Sequence, residues 1–253
     1  MRHLGLLIII IGISCGTLSY AEDEDQQEKA NQKGLVYVES DYMTTAGSGD
    51  FRLIPYAERR REWGVTFSVE YSTYEPLNYL PNFLEADFAD VYSSVDTPML
   101  EMQFTVKRNF SFASLGGEIA VGFYENESDS DLVNSTLTLY PIRLGAVLAF
   151  DALAPDPLFV PYVSGGGYVM IFREATPESS LNGNTAIAPY VHGGIALQLD
   201  WIDRQAARIA YNDSGIQNSY LFAEARMQMA STDEKDEDFS SDVSFAGGIR
   251  VEF

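Results

Sequence analysis

Few residues of this chain have the means to do chemistry. Of its two histidines, His3 lies in an amino-terminal apolar leader and His192 stands in "PYVHGGIAL", where Tyr190 and Gln198 share its side of an alternating stretch. A general base needs a nucleophile or a substrate proton within hydrogen-bond reach. No serine sits beside His192 in sequence, and a lone inward histidine is more often a hydrogen-bonding residue. "GSGD" at 47–50 is a turn signal without the lysine of a phosphate loop. "ENESDSD" (125–131) and "STDEKDEDFSSD" (231–242) are dense in carboxylates. Asp233, Glu234, Asp236, Glu237 and Asp238 are therefore candidates for Ca²⁺ or Mg²⁺, although their spacing is not that of an EF-hand. The expectation is a chain with no catalytic residues, no cofactor and no defined metal site.

A second ionisable set is more informative. Glu70, Glu101, Lys107, Glu118, Arg143, Glu224, Arg226 and Arg250 each interrupt a stretch in which every second residue is apolar. That period of two predicts strands with one greasy and one polar face. Eight such segments occur: 63–74, 99–108, 111–124, 138–150, 159–172, 185–201, 220–229 and 242–253. Most are about ten residues or slightly longer, enough for a tilted strand to cross a bilayer. A turn at Asn109 and "DALAPDP" make short connections, and the intervening ones are longer and acidic. "IDRQAARIAYNDSGIQN" breaks that rhythm and has room for a helical turn. Alternation alone also fits a soluble sandwich or a lipocalin-type barrel with its apolar face inward. The polar face, however, mixes charges with glycine, which neither a dry core nor lipid would accept, and so calls for a polar lumen. Aromatics expected at one rim (Trp63, Phe110, Phe112, Phe150, Phe159, Trp201, Tyr220 and Phe253) read as an interfacial girdle.

The leader, Arg2 and His3 followed by an apolar run from Leu4 to Ile13 and then Ser19 and Ala21, reads as a secretory signal cut after Ala21. The domain reading is thus 1–21 signal peptide, 22–62 periplasmic tail and 63–253 barrel. Cleavage removes Cys15, the single cysteine, and with it any disulfide or thiolate metal site. A net charge of −21 excludes nucleic acid as a partner, because phosphate contacts need clustered Lys and Arg. Arg59, Arg60 and Arg61 are the local exception, placed to meet lipid head groups just before Trp63. The first long connection, "EPLNYLPNFLEADFADVYSSVD", carries Tyr79, Leu80, Phe83, Leu84 and Phe88, and either caps the barrel mouth or offers an apolar binding surface.

The closing "GIRVEF" resembles the carboxy-terminal signal of Gram-negative outer-membrane barrels, with Gly248, Val251 and Phe253 at the matching positions and Ala246 where a polar residue is usual. The whole of 63–253 is similar in architecture to the small OmpA, OmpX and OmpW type of barrel. That resemblance implies an all-β fold, an eight-stranded antiparallel up-and-down transmembrane β-barrel, located in the cell outer membrane. It implies outer-membrane lipids, lipopolysaccharide and the barrel assembly machinery as partners, with divalent cations bridging the acidic loops to lipopolysaccharide. Small barrels also host lipid A deacylases and palmitoyl transferases, but the His–Ser pair of the deacylase is missing. The functional expectation is a structural or surface-interaction protein with its lumen plugged by charged side chains. A small channel or carrier of hydrophobic molecules is the first alternative, and a lipid-modifying enzyme the second.

Overall fold

The computed structural model describes residues 43–45 and 51–253, apart from 77, 84–86, 93–96 and 129–133. The signal peptide with Cys15 and Ala21, the tail as far as residue 42, and Leu84 therefore lie outside the described residues. Thr44–Phe253 forms one compact unit.

Eight strands make the barrel: β1 (Trp63–Ser72), β2 (Met99–Asn109), β3 (Ser114–Glu127), β4 (Thr136–Ala149), β5 (Phe159–Ala175), β6 (Ala188–Gln198), β7 (Asn218–Gln228) and β8 (Ser241–Glu252). Each pairs antiparallel with its neighbours in sequence, and β8 pairs with β1, so the ladder has no open edge. Closure is what makes an apolar exterior tenable, since each strand's backbone is paired on both sides within the wall. At the seam Phe253 N donates to Val65 O (2.8 Å) and Val65 N to Phe253 O (3.2 Å). Gly248 lies opposite Glu70 there, and a Cβ at 248 would collide with Val69 O and Glu70 Cα.

The alternation resolves in one sense. Phe67, Val69, Leu100, Met102, Phe104, Val121, Leu144, Val163, Ile195, Leu221, Phe245 and Ile249 point outward and are exposed, while the residues between them are buried. A soluble barrel would bury the first set. At the rim with the short turns, Trp63, Phe110, Phe112, Phe159, Trp201 and Phe253 are exposed as a girdle requires. Two members of the expected girdle differ: Phe150 is half-buried, and Tyr220 is 3% exposed. Tyr220 has the parity of Phe222 and Glu224, so its ring points into the lumen.

Two connections also depart from expectation. Ser180–Asn184 pairs with the end of β5, with Ile171 opposite Asn184, so this acidic connection is a protruding hairpin. Short helices α1 (Tyr56–Arg59) and α2 (Phe88–Val91) flank β1, and the β6–β7 connection holds α3 (Arg204–Ser214), a full helix where one turn was expected. Asp203 caps it by accepting from Gln205 N and Ala206 N, and Gly215 ends it at φ 68°. No helix among the described residues is long and apolar enough to cross a membrane.

Candidate functional site: the filled lumen

Because inward positions recur every second residue on eight strands, the interior is built in layers from side chains of many strands. The central layer is ionic. Glu70 Oε1 accepts from Arg143 (2.9 Å) and Arg226 (2.5 Å), and Glu101 Oε2 from the same two guanidinium groups at 2.5 and 2.6 Å. Arg226 also reaches Glu224 Oε1 at 2.7 Å. Glu224 carries the network onward: its Oε2 lies 2.9 Å from His192 Nδ1, whose Nε2 lies 3.0 Å from Glu118 Oε1. Glu118 further accepts from Ser164 (2.5 Å), Tyr190 (2.9 Å) and Gln103 (2.9 Å). Both ring nitrogens of His192 face carboxylates, the pattern of a ring that donates from both. The Ser164 hydroxyl is turned to Glu118 and not to His192, so the two do not form a nucleophile–base pair.

All eight charges singled out in the sequence face the interior, but they do not form one network. Lys107 belongs to a separate layer at the short-turn end, paired with Asp151 (2.8 Å) and Glu252 (3.0 Å). Arg250 has no carboxylate partner among the described residues. Its guanidinium lies 4.5 Å from the Tyr162 ring centroid and 4.6 Å from that of Phe222. Arg250 is therefore held by aromatic faces and not by an ion pair among the described residues. Polar atoms with no protein partner run through these layers, among them Glu70 Oε2, Glu101 Oε1, Gln103 Oε1, Arg143 Nε and Nη1, and Arg250 Nε and Nη2. Buried groups of this kind are ordinarily satisfied by water.

The long-loop end is closed by a third, apolar layer. Tyr79, Phe88, Val91 and Tyr92 of the first connection are buried against Tyr74, Tyr124, Leu137, Tyr168, Met170, Phe172 and Phe239. Tyr79 stacks on Phe239 with ring centroids 4.9 Å apart. Of the two readings of that connection, these residues cap the mouth, whereas Leu80 is exposed and Phe83 half-buried. Glu174, absent from the sequence-derived set, sits within this layer and accepts from Tyr79, Tyr92 and Asn82 N, each at 2.9 Å. Burial first, and then the nearby charge of Glu174, leave the Tyr79 and Tyr92 hydroxyls harder to ionise than usual.

The arginine triplet is corrected. Arg59 is buried on Asp200 (3.0 Å), and Arg60 bonds Asp151 (2.7 Å) and Phe110 O, so neither is turned toward lipid head groups; only Arg61 is exposed. Burial of two guanidinium groups is tolerable here because each finds a carboxylate. Asp151, although burial works against its charge, titrates below the usual carboxylate range because Lys107, Ser114 and Arg60 surround it. In the acidic 231–242 loop, carboxylates cap their own turns: Asp236 accepts from Ser231 (2.5 Å) and Ala186 N (2.5 Å), and Asp238 from Ser240 N (2.8 Å). No three acidic, His or Cys side chains among the described residues are arranged to hold a metal ion.

Apolar outside, ionic within and capped at one mouth by its own loop, the chain is a small closed eight-stranded antiparallel β-barrel with the sidedness of a transmembrane wall. No family model matches it, and no curated protein matches it. Among solved structures it is similar to Neisserial surface protein A, at 10% identity and a TM-score of 0.35, over 76% of this chain and 96% of that one. It is also similar to Ail, the attachment invasion locus protein of Yersinia pestis, at 9% identity and a TM-score of 0.40, over 76% of this chain and 97% of that one. Another structure of Ail, in complex with the heparin analogue sucrose octasulfate, matches at 10% identity and a TM-score of 0.40, over 76% and 97%. Likenesses this distant carry no inference by themselves, and the fold rests on the chain's own closed ladder.

Proposed function

We propose that this protein is an integral barrel of the cell outer membrane with a structural or surface-interaction role, and that its lumen is closed by its own charged side chains. The observation that carries the reading is the inverted sidedness of the wall: Phe67, Val69, Leu144 and Ile249 outside, Glu70, Glu101, Arg143 and Arg226 inside and at most 1% exposed. In this reading the short turns face the periplasm and the long connections the exterior. Gly248, Val251 and Phe253 engage the assembly machinery, and the belt contacts lipid and lipopolysaccharide. Exposed carboxylates of the 231–242 loop are where divalent cations would bridge to lipopolysaccharide. His192, held between two carboxylates, serves as a lumen bridge in place of a base. A narrow water-conducting path is the second reading, favoured by the unpartnered polar atoms along the lumen. Conductance in planar bilayers separates the two. The charge plug predicts no steady current from the full-length protein in neutral salt, whereas reproducible ohmic steps would replace it with the channel.

A further inference from the structure

The residues just before β1 are built into the barrel's short-turn mouth. Tyr56 is fully buried, and its hydroxyl donates to Glu252 Oε1 at 2.7 Å, on the last turn of β8's inward face. Lys107 Nζ lies 3.3 Å from the same hydroxyl. Ala57 N donates to Pro155 O (2.8 Å) and Arg60 to Asp151 (2.7 Å), both in the β4–β5 connection. Arg60 also bonds Phe110 O in the β2–β3 turn. Arg59 reaches Asp200 and Gln217 O, at the two ends of the β6–β7 connection. Four residues, Tyr56, Ala57, Arg59 and Arg60, thus bond every connection at this rim and the end of the closing strand.

A loosely attached leader would not bury a tyrosine and two guanidinium groups, because burial of the two charges is unfavourable unless their partners are in place. Nor could the short-turn ionic layer stay dry without it. Asp151 and Glu252 are each 1% exposed, with Arg60 and Tyr56 lying across them. Removing those two side chains would open both carboxylates and Lys107 to water from that side.

We infer that Pro55–Arg60 is an internal cork, a segment of the chain that seals the short-turn mouth independently of the central ionic layer. This rests on the closed-lumen reading above but concerns a different barrier. Its removal opens the mouth to small solutes while the wall stays intact.

The test uses thiol access in reconstituted vesicles of the full chain, with Cys15→Ser to leave a single engineered thiol. Thr66→Cys places that thiol beneath the cork, because Thr66 pairs with Glu252 and is 6% exposed. A small membrane-impermeant thiosulfonate is added from each side separately. The cork predicts protection from the short-turn side in the otherwise unaltered chain. It predicts labelling about tenfold faster or more from that side in Tyr56→Ala/Arg59→Ala/Arg60→Ala, since the local opening is then no longer opposed by those bonds. Rapid labelling from the short-turn side with the cork intact would overturn it. So would unchanged protection in the triple variant while its unboiled band still runs as a folded barrel. Should the triple variant not fold, Tyr56→Phe/Arg59→Gln/Arg60→Gln keeps much of the bulk while removing the hydroxyl and both guanidinium groups, and unchanged labelling in that variant overturns the cork equally. Labelling from the long-loop side reports on the central layer and the loop cap, so failure of the closed lumen and failure of the cork are read separately.

Discussion

Arg226 concentrates the electrostatics of the lumen in one side chain, because three carboxylates from three strands converge on it: Glu70 on β1, Glu101 on β2 and Glu224 on β7. Arg226→Ala would leave those charges buried with Arg143 as the only other guanidinium among the described residues in contact with Glu70 and Glu101. Breaking a buried pair costs about 3–5 kcal/mol, so a large drop in the urea midpoint of the folded band is expected. Arg226→Lys recovers little of it, since one ammonium cannot present the planar fork that meets two carboxylates at once. A midpoint within error of the wild type for Arg226→Ala would show that water, and not this guanidinium, neutralises the layer. The inward positions of these charges were legible in the sequence because a strand's period of two and the cost of charge in lipid leave them one place to go. The same parity, applied along β5 and β8, reaches Glu174 and Glu252, which lie on the faces of Tyr168 and Arg250. Their partners were not legible: that Arg250 rests between Tyr162 and Phe222 depends on which strands neighbour β8 and at which height.

At the scale of elements, the turns do as much as the strands. The β4–β5 turn brings in Asp151, whose two oxygens join Lys107, Arg60, Tyr56 and Ser114 and so tie β2, β3 and the cork to one carboxylate. Its folded pKa lies below the ordinary range, against about 3.9 unfolded. The stabilisation from this group is therefore fully present above about pH 4 and is lost as pH falls through the folded value. Asp151→Asn is expected to lower the urea midpoint at neutral pH, and the gap to the wild type to close below about pH 4. A gap that persists unchanged at low pH would assign the loss to packing. The sequence placed this turn correctly but offered no sign that Asp151 folds back under the barrel, since its partners come from residues 56, 60, 107 and 114. Arg59 and Arg60 misled for a related reason. A basic triplet before an aromatic reads as a lipid contact when the carboxylates that claim it, Asp151 and Asp200, are distant in sequence.

For the whole molecule, closure, sidedness and filling are parts of one solution. A closed ladder satisfies the backbone, which permits an apolar exterior; the apolar exterior sends charges near the middle of the strands, such as Glu70, Glu101, Arg143 and Arg226, inward; and eight strands leave a bore that side chains can fill. The interior then stacks as an aromatic cap from the first loop, an ionic middle, and a second ionic layer beneath the cork. The cap's apolar residues, Tyr79 and Phe88, were visible in the sequence, whereas the height at which they settle was not, because it is set by contacts with Phe172 on β5 and Phe239 in the β7–β8 connection. The most direct test of the inverted barrel is electrophoretic mobility of the protein in isolated outer membranes, boiled against unboiled in SDS. The account predicts a membrane-bound band that migrates differently before and after boiling. A freely soluble protein with one mobility under both conditions would contradict it, and would mean that Phe67, Val69 and Ile249 do not face lipid.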